Sequence, residues 1–313
     1  MYETTGNSVG AFDNDAAYTR DAFGKMRVSN PQTLLDFRFP GQSSGSASFL
    51  SNQQQIGATY LSGFTASYAN SKAIISAAAG ATGYFLSQSR VWTTYQPGKS
   101  FLLLFSGMIL PTSSTDSYKS RIGYFNSNLS VSPITTIDGL YFEYDCSDQS
   151  IAVVVANQGN QSATKQSLWN LDAMDGTGSS GITLDFSKCQ LFVIDLEWLS
   201  VGRIRFGFYV YGQIVYCHEV TNINALSGPY TTSINLPVSY CLLTNGAASG
   251  SASITQICST VISEGGYNPT GRPFSVNITT PYTFANENFF CALRGGGSNY
   301  YHQNITQHFI IIH

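Results

Sequence analysis

Residues 188–220, KCQLFVIDLEWLSVGRIRFGFYVYGQIVYCHEV, constrain the fold more than any other stretch. β-Branched and aromatic side chains dominate it, and these suit a pleated, half-buried surface. Breaks fall at 199–202 and 211–213, so the stretch reads as three consecutive antiparallel strands near 190–198, 203–210 and 214–220. Side chains alternate across a strand. Phe192, Ile194, Leu196 and Trp198 therefore share one face, and Leu191, Val193, Asp195 and Glu197 share the other. In the second run Ile204, Phe206, Phe208 and Val210 oppose Arg203 and Arg205. An odd-length loop sets Asp195 and Glu197 across from the two arginines, whereas an even loop sets charge against Ile204 and Phe206. The odd register is expected. It gives two cross-strand ion pairs on a half-exposed face, each worth about 0.2–1 kcal/mol.

The same pattern recurs along the chain. Short β-type runs lie near 57–66, 72–79, 83–94, 100–110, 120–125, 140–145, 150–156, 236–244, 252–263 and 274–280, with a last strand at His308–Ile312. The alanine-rich 73–82 reads as strand because its flanks are Gly-rich and strand-like. Residues 157–181 read as a long connection with one short helical turn around 168–174, in which Asp172 and Asp175 cap turns in solvent. No helical period of useful length occurs. The expectation is an all-β chain, an antiparallel β-sandwich of jelly-roll-like type.

Residues 1–40 differ from this pattern and read as an extended N-terminal arm, with 41–313 as the β-sandwich body. A smaller C-terminal β subdomain from about 245 is the alternative division. The arm holds Phe23, Met26, Val28, Leu34, Leu35, Phe37 and Phe39. That is too much apolar surface for a free tail and too little chain for a core of its own. It must be buried on a neighbouring subunit, as an assembly arm, or on a sheet of its own subunit.

Charged residues are 11% of the chain, against about 25% in ordinary soluble domains. Ser, Thr, Asn, Gln, Gly and Tyr take their place, which suits packing against copies of itself or a carbohydrate-binding surface. Net charge is −3 with no Lys/Arg cluster, so no nucleic-acid partner is expected. No run of apolar residues is long enough to span a membrane, and MYETTGNSVG lacks the regions of a signal peptide. Cys146, Cys189, Cys217, Cys241, Cys258 and Cys291 form no C-x-x-C pair, and His218, His302, His308 and His313 show no ligand spacing. Neither a metal nor a cofactor is expected, and the cysteines read as buried free thiols.

One constellation invites a catalytic reading. In V-I-D-L-E-W, residues 193–198, carboxylates at alternate positions stand about 6.5–7 Å apart on one face. That spacing serves glycoside hydrolysis. The stretch resembles the E-x-D-x-E strand of jelly-roll β-glucan hydrolases, with Asp195 and Glu197 at the second and third positions. Val193 stands where that family has its nucleophile, and the arginines are expected to hold both carboxylates ionised. No catalytic residue, and no enzyme, is therefore expected.

Three further motifs are DAFGKMRVSNPQTLLDF (21–37), YQPGKS (95–100) and the set DGTGSSGITLDF, FVIDLEWLSVGRIRFGF and YGQIVYCHE within 175–219. Together they resemble uncharacterised virion proteins of tailed bacteriophages, many of them marine, and of large DNA viruses. Related forms read DAFGRLRVS-P-TLFD and WLGVGRVRFG; here Lys25, Met26 and Ser200 depart from them. The resemblance covers 18–40 and about 90–240. It implies a viral structural protein located in the virion, a capsid-associated, fibre or tail component, with copies of itself and other virion proteins as partners. A glycan-binding receptor-recognition module of a fibre or spike, taking host-surface glycan, is the alternative. The motifs also read physically. Gln96-Pro97-Gly98-Lys99 suits a type II turn launching strand 101–105, and Gly202 is expected to supply a positive φ before Arg203.

Overall fold

The computed structural model describes residues 30–39, 55–60 (backbone only), 62–112, 118–129, 134–244, 246 and 250–268. In chain order the strands are β1 (Gln32–Arg38), β2 (Gln55–Tyr60), β3 (Phe64–Ala69), β4 (Lys72–Ala77), β5 (Gly83–Ser89), β6 (Phe101–Met108), β7 (Tyr118–Asn128) and β8 (Thr135–Asp145). They continue with β9 (Ser150–Asn157), β10 (Asn160–Lys165), β11 (Gln190–Leu196), β12 (Ile204–Val210), β13 (Gln213–Val220), β14 (Val238–Thr244) and β15 (Ala252–Ser263). Among the described residues there is no α-helix, only a 3-10 turn at Gln166–Leu168.

The strands form two antiparallel sheets packed as a sandwich. One runs β13-β12-β11-β6-β15-β4-β3, with β1 also on β15, and the other runs β10-β9-β8-β7-β14-β5-β2. Neighbours such as β6 and β11, or β7 and β14, are distant in sequence, which gives the jelly-roll-like character. Alternation explains the core. Phe101, Leu103 and Phe105 of β6 point inward with Phe192, Ile194 and Leu196 of β11 and Ile204, Phe206 and Phe208 of β12. They meet Phe142, Ile122, Tyr240 and Leu242 of the second sheet, and Phe142 packs on the rings of Phe192, Phe206 and Phe208. Each such side chain, fully buried, stabilises by about 1.5–3 kcal/mol before entropy is counted. Tyr141, Val154, Cys241 and Leu86 form a second buried cluster on the opposite face of that sheet.

Several expectations are revised. The boundary at residue 40 falls inside the body, because Gln32–Arg38 is β1 and pairs with β15 from Gln32↔Ser263 to Arg38↔Cys258. Leu35, Phe37 and Phe39 are buried and Leu34 packs against the core, so this half of the arm buries its apolar surface on its own chain. Phe37 and Phe39 meet edge to face with ring centroids 4.9 Å apart, and the Phe39 ring lies 5.7 Å from that of Tyr68. Phe23, Met26 and Val28 lie outside the described residues, as do 274–280, Cys291 and the run at 308–312. Within the stretch assigned to a C-terminal subdomain from about 245, Ala252–Ser263 is β15 and lies between β6 and β4 of the sandwich, and residues 269–313 lie outside the described residues. The run near 57–66 is two strands, β2 and β3, in different sheets. The connection 157–181 holds a strand not expected from its polar sequence, β10, whose short hairpin with β9 turns at Gln158 and Gly159. Cys146, Cys217 and Cys241 are buried as expected, but Cys189 and Cys258 are exposed.

The turn at 96–99 forms as expected, with φ of +81° at Gly98 and the Lys99 N–H donating to Gln96 O at 3.2 Å. Gly202 does not take a positive φ; Leu199 and Ser200 do. Gly202 is required for space instead, because a Cβ there would collide with the carbonyl of Glu197.

Candidate functional site

The chemistry-bearing side chains converge on the outer face of β11–β12–β13. Asp195 pairs with Arg205 across β11 and β12, and the Glu197 N–H donates to Arg203 O at 2.9 Å. The loop between them is 198–202, odd in length, so both carboxylates face both arginines. Arg203 Nη2 donates to Glu197 Oε1 at 3.0 Å, and its Nη1 reaches Glu219 Oε2 at 3.4 Å. Arg205 Nη2 donates to Asp195 Oδ2. Arg205 sits opposite Glu219 on β13, so the pairs form one network across three strands.

This face is not half-exposed throughout. Asp195 is 4% exposed, and its Oδ2 also accepts the Tyr216 hydroxyl at 2.6 Å. Tyr216 comes from β13 and passes over the intervening strand. Its pairing partner there is Gly207, where a Cβ would lie 2.6 Å from Val215 O and 2.9 Å from Tyr216 Cα. The absent side chain leaves room for the ring, and the Arg205 guanidinium stacks 4.2 Å from the ring centroid. Asp195 Oδ1 and Arg205 Nε are sealed from solvent without partners, a complementary acceptor and donor left over from a single-point contact. Asp195 is thus a buried anchor that holds Arg205 and Tyr216 in place.

Glu197 is half-buried beside the Arg203 guanidinium. Burial pushes its carboxyl up, and the Arg203 charge beside it does not fully offset that. Burial alone would lower the Arg205 guanidinium, but the Asp195 carboxylate raises it further. Burial, then the Asp195 charge, push the Tyr216 phenol up. Val193, at the nucleophile position of the E-x-D-x-E pattern, is fully buried.

Beyond this network the same face continues through Leu191 and Tyr209 to the hairpin tip. Tyr209 is 38% exposed and Tyr211 is 91% exposed. Most other described tyrosines are in the core. The far edge, β13, is walled by residues 170–172. Leu171 N–H and Asp172 N–H both donate to Cys217 O at 3.1 Å, and the Asn170 amide brackets the Glu219 backbone at 2.8 and 2.9 Å. Asp172 is buried, not solvated as expected, and accepts the N–H groups of Met174 and Ser180 at 2.8 and 2.7 Å. Asp175 is an exposed turn cap for Thr177. Burial lowers the His218 pKa, and its Nδ1 accepts the Asn170 N–H at 3.3 Å.

Sequence reasoning found Asp195, Glu197, Arg203 and Arg205 but missed Tyr216 and Glu219. Between Phe206 and Gly207 the pairing with β13 shifts, so Tyr216 and Glu219 share a face although three positions apart. The shift breaks the two-residue period, so strand alternation gave no signal for them. Among the described residues, no three His, Cys, Asp or Glu side chains are placed to hold a metal ion.

No protein-family model and no curated protein matches the chain. Solved structures align with it over about three quarters of its length. An endo-1,3-beta-glucanase from Streptomyces sioyaensis aligns at TM-score 0.49 and 12% identity, covering 75% of this chain and 97% of that one. The potassium-bound carbohydrate recognition domain of Emp46p aligns at 0.44 and 8%, covering 74% and 98%. The CBM2 module of the evolved Dit of Lactobacillus casei BL23 phage J-1 aligns at 0.40 and 9%, covering 74% and 96%.

Proposed function

We propose that the protein is a non-catalytic, glycan-recognising component of a virion, with the outer face of β11–β13 as its binding face. One observation carries the binding reading: charged acceptors and donors held by mutual pairing stand beside accessible tyrosine rings. Glu197, Glu219, Arg203 and Arg205 supply hydrogen bonds for sugar hydroxyls, and Tyr209 and Tyr216 supply flat apolar surface for a sugar ring. Because the groups already hold each other, little side-chain entropy is lost on binding. Hydrolysis is disfavoured, since the pair Asp195 and Glu197 has no third carboxylate at Val193. The virion setting rests on the three sequence motifs. Glycan-array screening of the full chain, followed by calorimetry with the best ligand, tests the reading. Binding that is lost in Tyr209→Ala and Arg203→Ala supports it; an array without a ligand, or release of reducing sugar from a bound one, defeats it.

A second reading, a purely structural particle component, is favoured by the low charge. Under it the full chain assembles without any glycan, and Tyr209→Ala impairs assembly.

A further inference from the structure

The opposite end of the same strands carries an apolar patch that neither reading uses. Leu199 and Val201 lie in the β11–β12 loop and are 49% and 40% exposed; Ile223 and Leu226 follow β13 and are 61% and 45% exposed. The two loops are bound together. Asn222 Nδ2 donates to Gly202 O at 2.6 Å, Tyr230 N–H to Ser200 O at 2.9 Å, and Tyr230 OH to Glu197 O at 3.3 Å. The Ala225 and Leu226 N–H groups close a turn on Asn222 O at 3.1 and 3.2 Å. Leu199, at φ +35°, and Ser200, at φ +67°, are held in a costly backbone region. Four aliphatic side chains on two hydrogen-bonded loops are a patch that soluble surfaces ordinarily cover.

The chain's own N-terminal segment enters the fold at this end. Gln32, Ser263, Phe101 and Leu196 are in register across β1, β15, β6 and β11. The start of β1 is therefore three strand spacings, about 15 Å, from the end of β11. Residues 18–29, outside the described residues, precede it and span up to about 40 Å when extended. They carry Phe23, Met26 and Val28 among Arg20, Lys25 and Arg27, with Asp21 the single acid. Beside the patch, two carboxylates, Glu197 and Glu219, share one guanidinium, that of Arg203.

We propose that residues 18–29 fold back onto this loop pair in the same chain, seating Phe23, Met26 and Val28 on Leu199, Val201, Ile223 and Leu226. The short tether gives the segment a high effective concentration at its own patch, ahead of a neighbour's segment. Tryptic cleavage after Lys25 and Arg27 of the full chain reads the contact. Cleavage is expected at least tenfold slower than in a synthetic peptide of residues 18–31. Val201→Asp with Ile223→Asp brings it to the peptide's rate, as does Phe23→Ser with Met26→Ser, which leaves the body untouched. Tyr211→Asp, at the other end of the strands, keeps the protection. Cleavage of the parent at the peptide's rate overturns the proposal, as does protection that survives both double variants. Protection that disappears on hundredfold dilution assigns the contact to a neighbouring copy and also overturns it.

Discussion

The Tyr216 hydroxyl, on β13, donates to Asp195 Oδ2, on β11, at 2.6 Å, across the width of the strand between them. The contact exists because that strand has Gly207 at the crossing point. It turns a surface ion pair into a buried one and aligns Arg205 under the ring.

Gly207→Ala places a Cβ where the Val215 carbonyl and the Tyr216 backbone already are. Overpacking of this kind costs about 1–3 kcal/mol. Chemical denaturation is expected to show that loss. Tyr216→Phe is expected to lose about 1.5–3 kcal/mol, the worth of one hydrogen bond to a charged group with the ring retained. A fully stable Gly207→Ala protein would mean the ring does not need the space.

Asp195→Ala leaves Arg205 and the Tyr216 hydroxyl without their acceptor in a buried setting. Breaking a fully buried pair costs about 3–5 kcal/mol. Arg205 retains some solvent contact, so about 3 kcal/mol or less is expected here. Glu197→Gln is expected to cost less than Asp195→Ala, because Arg203, its partner, is the most exposed of the network's side chains. Equal losses in denaturation midpoints for the two variants would contradict this ordering.

Glu197 makes stability pH-dependent in a defined direction. Its carboxyl is raised in the folded state, so the folded protein holds that proton more tightly than the unfolded chain. The contribution is present below the unfolded value, about 4.3, and lost as pH rises through the folded value. The stability difference between parent and Glu197→Gln is therefore expected to favour the parent more at pH 4 than at pH 7. The opposite trend would show that Arg203, not burial, governs the group.

Removing residues 1–40 deletes β1 and uncovers an edge of β15. Leu35, Phe37 and Phe39 are lost with it, several kcal/mol of burial, and each kcal/mol shifts Tm by about 2–4 °C in a domain of 150–250 residues. A fall of at least about 5 °C is expected. Removing only 1–29 retains β1 and is expected to lower Tm far less. Equal melting of the two truncations would mean β1 is dispensable.

Local chemistry alone determined much of this protein. Alternation in β11 and β12 placed Phe192, Ile194, Leu196, Ile204, Phe206 and Phe208 inside, because a two-residue period needs no knowledge of the partner strand. The avoidance of charge against oil chose an odd loop, and Pro97-Gly98 chose its turn. Tertiary structure decided what depends on distant partners. Leu35 and Phe37 read as arm until β15, more than two hundred residues later, supplied an edge for them. β10 has no apolar face to announce it and is a strand because β9 turns back on it. Asp195 looked like a solvated surface carboxylate because its own strand shows only alternation. Its burial comes from a tyrosine two strands away, over a glycine, past a shift in pairing that breaks the two-residue period. Pairing register between strands far apart in sequence is set by the packed whole, and only the packed whole reveals which polar side chains lose their water.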